Sequence, residues 1–263
     1  MRIVSLASGS KGNCYYVEAG ETRMLVDCGL ALKVLEERLK QINVSPESIK
    51  AIIVSHEHND HIKGLDVFFN KYHPQIYCNF LSAERIISLK PVLNGNISYL
   101  ENDLVIIGEL TINLISLSHD SVYCNGFRFN YKNASAAIIT DLGYVDEKII
   151  KVLKGSKVVY IESNHDEQML VECKYPSILK ARIKSNTGHL SNRQAGQAIV
   201  KLYQQGTKHF VLSHISENSN TYEIAYITIA NILSDNNIDV DNDVVIRFAH
   251  QYKIGNNFIL GDE

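Results

Sequence analysis

Three histidines and the carboxylate of Asp60 fall within six consecutive residues, His56-Glu57-His58-Asn59-Asp60-His61. They come directly after Ile52–Val54, a short β-branched run of the kind found in buried strands. The chain therefore has to deliver a buried strand straight into a polar cluster. Side chains at i and i+2 of an extended segment point to the same side, so His56 and His58 can share one metal ion. The turn that follows lets Asp60 and His61 face a second. Imidazole together with carboxylate suits Zn²⁺, Mn²⁺ or Fe, and the lack of cysteine ligands argues against a purely structural zinc.

Four residues do not complete two metal spheres. Three further candidates stand at the ends of predicted strands: His119 after INLISLS, Asp141 after AAIIT, and His214 after HFVLS. Strand ends that open into loops are where folds of this kind gather functional groups. Taken singly, each also reads as a capping or turn residue.

The rest of the chain sets the frame. Alternating strand and turn signals fill the first 30 residues, and helical spacing runs from Leu30 to Ile42. A helix is predicted from about His61 to Lys71 and another near Ser82–Leu89. Leu104–Ile107, Leu110–Leu117 and Cys124–Tyr131 read as a strand-rich sheet, followed by the buried strand Ala136–Thr140. A βα rhythm then places helices near Asp146–Leu153, Arg193–Gln204 and Tyr222–Leu233, with strands at Lys157–Ile161, His209–Ser213 and Val244–Phe248 before a polar tail. No Pro/Gly-rich linker divides the chain, so residues 1–263 are expected to form one α/β domain. Helices in both halves flanking strand-rich regions suit two sheets with helices outside.

A formal charge of −3 rules out a global basic field, so a polyanionic substrate has to be held by local cations. The five cysteines are scattered and never in a C-x-x-C pair, which fits reduced, mostly buried thiols. The N-terminal residues lack a signal-peptide apolar run, and no stretch approaches the ~20 apolar residues of a membrane span. A cytoplasmic protein with no membrane partner is the expectation; oligomeric state is left open.

The set from Asp27 to His214 resembles the metallo-β-lactamase superfamily at all five of its usual motifs. That resemblance implies a four-layer αββα sandwich of two mixed β-sheets flanked by helices. It implies two divalent metal ions, with His56, His58 and His119 on one, Asp60, His61 and His214 on the other, and Asp141 between them. Asp27, in Leu25-Val26-Asp27-Cys28-Gly29, would hold the histidine loop by hydrogen bonds. Class B β-lactamases carry cysteine where Asp141 stands. Flavodiiron oxygen reductases place glutamate at His58, and β-CASP ribonucleases need far more chain between Asp141 and His214. The glutathione-binding signatures of glyoxalase II are missing.

Four phrases give a narrower resemblance, to the YycJ (also WalJ) group of bacterial metallohydrolases. They are Ala7-Ser8-Gly9-Ser10-Lys11-Gly12-Asn13, Glu162-Ser163-Asn164-His165-Asp166, Gly188-His189-Leu190-Ser191-Asn192 and Leu212-Ser213-His214-Ile215-Ser216-Glu217-Asn218. The resemblance implies a 5′→3′ exonuclease on DNA, linked to mismatch repair, with a metal-bridging hydroxide as nucleophile. Asp60, Asp141 and His189 are the catalytic candidates. His189, ahead of a helix with Ser191 as N-cap, can contact a phosphate or protonate a leaving oxygen, or serve only in capping. Glu162 can support the ligands from beneath. Ser10, Lys11 and Asn13 sit in a turn that reads either as a hairpin or as a backbone nest for phosphate. Lys11, Lys63, Arg182, Lys184 and Arg193 near these phrases, and tyrosines available for stacking, fit a nucleic-acid groove. The alternative is hydrolysis of a small ester, thioester or lactone at the same metals; a non-catalytic metal-binding scaffold is the third reading.

Overall fold

The computed structural model describes residues 1–261. The first sheet contains β1 (Arg2–Ala7), β2 (Cys14–Ala19), β3 (Thr22–Val26), β4 (Ala51–Val54), β5 (Gln75–Asn79) and β6 (Ile97–Leu100). The second contains β7 (Leu104–Ile107), β8 (Leu110–Leu117), β9 (Cys124–Tyr131), β10 (Ala134–Ile139), β11 (Val158–Glu162), β12 (His209–Ser213) and β13 (Val245–Phe248). A last strand, β14 (Asn257–Ile259), returns to the first sheet beside β1, antiparallel at Arg2–Val4. The sheet orders are β14-β1-β2-β3-β4-β5-β6 and β13-β12-β11-β10-β9-β8-β7. Each is mixed, antiparallel on one side and parallel on the other: β3 through β6 run parallel, as do β10 through β13.

The period-two alternation of the strands explains the layering. Ile53, Tyr15, Val17, Phe127, Phe129, Tyr160 and Val211 pack between the two sheets. Their neighbours Ile52 and Val54 face outward onto α1 (Leu32–Gln41), α3 (Leu65–Tyr72) and α4 (Phe80–Leu89) through Leu35, Phe68 and Ile86. On the other side Ile139, Ile161 and Leu212 meet Ile150, Ile199 and Ile229 of α5 (Glu147–Leu153), α8 (Asn192–Gln204) and α9 (Tyr222–Asp235). Strands covered on both faces are apolar throughout, which is why β4, β10 and β11 are buried at every position. The result is the four-layer αββα sandwich.

Three segments depart from the sequence reading. The helix expected over 61–71 is two pieces, α2 (Asn59–Ile62) and α3, broken at Gly64. A Cβ there would lie 2.0 Å from the carbonyl oxygen of Leu30, and the Gly64 amide donates to Cys28 O. The close approach needs glycine and interrupts the helix. Two further short helices, α6 (Glu167–Glu172) and α7 (Ser177–Lys184), occupy a stretch without helical periodicity, and β14 lies in the polar tail. Among the described residues no helix is long and apolar enough to cross a membrane.

Phe129 is wholly buried between the sheets, whereas Ile106 on β7 is largely exposed. Phe129→Ala is expected to cost about 3–5 kcal/mol in urea denaturation. Ile106→Ala should stay within about 0.5 kcal/mol. Equal effects would contradict the layering.

Candidate metal centre

The chain gathers its polar side chains at one edge, where β1, β3, β4, β8, β10, β11 and β12 all run out of their sheets. Asp27 follows β3, His56 follows β4, His119 follows β8, Asp141 follows β10, Glu162 closes β11 and His214 follows β12. Asp27, Asp141 and His214 take left-handed backbone angles, φ 60°, 65° and 53°. Each turns the chain sharply as it leaves a sheet and brings its side chain back over the strand ends.

All seven predicted ligands come together. Potential donor atoms converge in four overlapping groups: His56, His58 and His119; His56, His61 and Asp141; Asp60, His61 and His214; and Asp141 with Glu162, His189 and His214. Asp141 lies between the two histidine sets. Its Oδ2 is 3.3 Å from His61 Nε2, while its Oδ1 is 3.4 Å from His214 Nε2 and 3.9 Å from His119 Nε2. His58 presents Nδ1 to His119 Nε2 at 3.3 Å, a spacing at which two imidazoles face one point.

Four of the five rings are aimed by the hydrogen bond of their other nitrogen. His61 Nδ1 donates to Asp27 Oδ2 at 2.8 Å, and His56 Nδ1 meets Ser55 Oγ at 3.0 Å. His119 Nδ1 donates to the Gly188 carbonyl at 3.2 Å. His214 Nδ1 lies 3.3 Å from Glu162 Oε1. These partners fix tautomer and orientation, leaving Nε2 of all four rings toward the cluster. Asp27 also accepts from the Ser55 amide at 2.8 Å and from Ser55 Oγ, so a single carboxylate pins the start of the histidine loop.

The donor set fits divalent metal ions. His56 Nε2, Asp141 Oδ2 and His214 Nε2 are buried without a hydrogen-bond partner among the described residues, an unfavourable arrangement unless something else satisfies them. Charge tells the same story. Burial opposes protonation of His61 and His214, yet the surrounding carboxylates outweigh it and hold both well above the ordinary histidine range: Asp27, Asp60 and Asp141 act on His61, and Asp141, Asp60 and Glu162 on His214. Burial, then His61, pushes His56 well below that range. Burial disfavours the charge of Asp141 as well, but His214 and His61 keep it ionised. Protons on the imidazoles thus balance the buried carboxylates, a task that divalent cations perform when bound.

His189 stands beside the ligands and differs from them. Its Nδ1 is 2.7 Å from Glu162 Oε1, its ring stacks on His214 at 5.3 Å, and its side chain is 17% exposed where that of His61 is fully buried. Glu162 Oε2 accepts the Leu142 and Leu190 amides, so the carboxylate is held from both sides. Burial opposes the charge on His189, but Glu162 raises its pKa above the ordinary value.

The N-terminal turn divides. Asn13 joins the centre: its Nδ2 is 3.1 Å from Asp60 Oδ2 and 3.0 Å from His61 Nε2. Ser10 and Lys11 do not. Ser10 is exposed, and Lys11 Nζ pairs with Glu217 at 2.8 Å and Tyr252. Four of the five amides of the turn from Gly9 to Asn13 are also already used: Gly9 donates to Asn13 Oδ1, Lys11 to Gln251 Oε1, Gly12 to Gly9 O and Asn13 to Asp60 O. His165 is buried, with burial lowering its pKa to about 4. Sequence reasoning missed Ser55, Asn164 and Asp120. Asn164 Nδ2 donates to His214 O at 2.9 Å, and Asp120 Oδ1 is 3.3 Å from His119 Nε2. Each neighbours a motif residue, and that adjacency was the available signal.

The beta-lactamase superfamily domain matches residues 22–215. The chain belongs to this family. It is 36% identical over 241 residues to the exodeoxyribonuclease YycJ of Bacillus anthracis, covering 89% of this chain and 90% of that protein. It is 33% identical over 244 residues to the exodeoxyribonuclease WalJ of Streptococcus pneumoniae serotype 2, with 90% of each covered. The narrower resemblance seen in the four phrases is thereby confirmed. Among solved structures, the metallo-β-lactamase fold protein YhfI from Bacillus subtilis superposes with a TM-score of 0.74 at 17% identity, covering 99% of both chains. The family and these relatives mark the chain as a hydrolytic enzyme.

Gly29 offers a test of how tightly the centre is built. A Cβ at this position would lie 1.7 Å from the Asp60 carbonyl and 2.7 Å from the Asn13 amide. Gly29→Ala should displace the Asp60–His61 turn and lower the metal content measured by elemental analysis by about half or more. Full metal loading in this variant would show that the turn is not held as described.

Proposed function

We propose that the chain is a dinuclear metal-dependent phosphodiesterase, a 5′→3′ exonuclease acting on DNA, built as one domain. The observation that carries this reading is the position of Asp141, whose carboxylate lies 3.9 Å from His119 of one histidine set and 3.3–3.4 Å from His61 and His214 of the other. His56, His58 and His119 would hold one ion; Asp60, His61 and His214 would hold the other; Asp141 would bridge them. DNA as substrate and exonucleolytic cleavage are carried from the relatives named exodeoxyribonuclease.

When bound, two divalent ions supply Lewis acidity, polarising phosphoryl oxygens and lowering the pKa of water. The protein's own residues do the rest. Asp27 and Ser55 keep the histidine loop in register. Asn13 holds Asp60 from the side of the N-terminal turn. Glu162 engages His189 through Nδ1, which would leave Nε2 of the partly exposed ring to donate a proton to the departing sugar oxygen. The negative Glu162 beside it raises the pKa of that ring against the effect of burial, which favours the protonated form a general acid needs.

The reading is tested on end-labelled DNA and RNA, single- and double-stranded, with Zn²⁺- or Mn²⁺-loaded protein and a thioester as control. Stepwise loss of nucleotides from the 5′ end of DNA is expected. His58→Ala and Asp141→Ala should abolish it, and His189→Ala should lower kcat by about 10²–10⁴ with metal content unchanged. Turnover of the thioester without nucleic-acid cleavage would move the enzyme to small-molecule esters.

A second readout uses the ions alone. Chelator-treated protein should unfold at a lower temperature than the loaded form, and Zn²⁺ or Mn²⁺ should restore it in calorimetry. A transition that ignores both chelator and metal would mean that the buried imidazoles are satisfied without ions.

A further inference from the structure

Three cations near the motif phrases pair with a carboxylate, and one of them is held differently from the other two. Lys11 is turned to Glu217 and Arg193 to Glu167 at 3.6 Å, both carboxylates outside the centre. Arg182, in the last turn of α7, instead donates through Nε to Asp120 Oδ2. Asp120 directly follows the candidate ligand His119, and its other oxygen lies 3.3 Å from His119 Nε2. One carboxylate therefore separates the guanidinium from the nitrogen that faces the metal cluster. Among the described residues, Nη1 and Nη2 of Arg182 have no hydrogen-bond partner, and 52% of the side chain is exposed.

The segment carrying Arg182 is tied to the centre. The Ser185 amide donates to Arg182 O, the Gly188 amide to Ser185 O and the His189 amide to Ile183 O. Ser118 Oγ donates to Asn186 O at 2.8 Å, and Gly188 O receives His119 Nδ1. A Cβ on Gly188 would lie 2.2 Å from Ile183 O and 2.3 Å from Arg182 O, so the turn closes tightly onto the end of α7. The backbone that positions His189 also positions Arg182.

We propose that Arg182 is the phosphate clamp of this site. It binds a backbone phosphate of the nucleic acid through Nη1 and Nη2, and Asp120 is the positioning residue that holds Nε. A guanidinium held at Nε presents its remaining donors as a fork matching two phosphate oxygens. The chemistry suits a chain of net charge −3, which cannot attract a polyanion by its overall field and needs a fixed cation where the strand meets the metals. The inference rests on the nuclease reading above and deepens it by naming what holds the strand.

The test compares metal-loaded wild type with Arg182→Ala, Arg182→Lys and Asp120→Ala on a single-stranded oligonucleotide. Arg182→Ala is expected to raise KM about tenfold with kcat within about threefold, because a charged hydrogen-bonding contact is lost while the ligands stay in place. Arg182→Lys should fall between, since an ammonium keeps the charge but not the fork. Asp120→Ala should raise KM in the same direction, and the double variant should be no worse than Arg182→Ala alone. Fluorescence anisotropy supplies a readout besides turnover. In an Asp60→Ala background, Arg182→Ala should weaken oligonucleotide binding and reduce the magnitude of its salt slope by about one. If the wild type cleaves the oligonucleotide but Arg182→Ala leaves KM, affinity and salt slope unchanged, the clamp is overturned and the nuclease reading stands. Additive effects in the double variant would overturn the positioning role of Asp120. A wild type that turns over thioesters and binds no oligonucleotide overturns both readings.

Discussion

The contact on which the rest of the centre depends is the buried carboxylate of Asp27. It accepts the Ser55 amide, the Ser55 hydroxyl and His61 Nδ1, so one side chain binds the end of β3 to the end of β4 and to the loop beyond. A buried carboxylate without such partners would be costly, and here its oxygens are used by groups that themselves need fixing. The φ of 60° at Asp27 makes the arrangement possible, because it folds the chain back over the strand end instead of extending the sheet. Asp141 and His214 repeat the device on the second sheet. Left-handed backbone outside glycine costs about 1–3 kcal/mol at each site. Its recurrence at three residues around one cluster means that the fold spends stability to aim these side chains.

What it aims is a charge arrangement unsuited to a purely structural role. Asp27, Asp141 and Glu162 are buried within a few ångströms of one another's histidine partners, and Asp60 is only partly exposed. Imidazolium protons offset these charges, but each proton occupies a nitrogen that would otherwise be free to ligate. Apolar side chains of the same volume would hold the sheet ends together without this tension. The unpartnered atoms of His56, Asp141 and His214 sit where that tension is greatest, between the two histidine sets. Cations of higher charge relieve it by replacing several protons at once.

Legibility in the sequence followed burial. The strands β4, β10, β11 and β12 are apolar on both faces and bounded by polar residues, so runs such as Ile52–Val54 and Ala136–Ile139 could be placed from composition alone. The ligands were legible because each stands just beyond such a run. His119, Asp141 and His214 were marked by their place at strand ends, and the superfamily resemblance gave them, together with Asp27, their roles. The reach of Asn13 across to Asp60 and His61 was not legible in that way, since it depends on the pairing of β1, β2 and β3 bringing the turn back to the same edge. The break at Gly64 was hidden for a related reason: its cause is the Leu30 carbonyl, a contact distant in sequence.

The stretch from His165 to Gly188 was read least well, and the reason is physical. α6 and α7 bury only Leu170 and Ile183 respectively, so neither carries an apolar stripe from which a period could be taken. Both are held by caps and side-chain contacts: Asp166 accepts the Gln168 and Met169 amides, and Asp120 holds Arg182. Such a segment contributes little to the core, so its outward residues are free of packing demands and available for contact with a substrate. The ligand edge is built from core strands and declares itself through hydrophobic pattern. The residues around its mouth are built on weakly amphipathic helices whose position only the folded chain reveals.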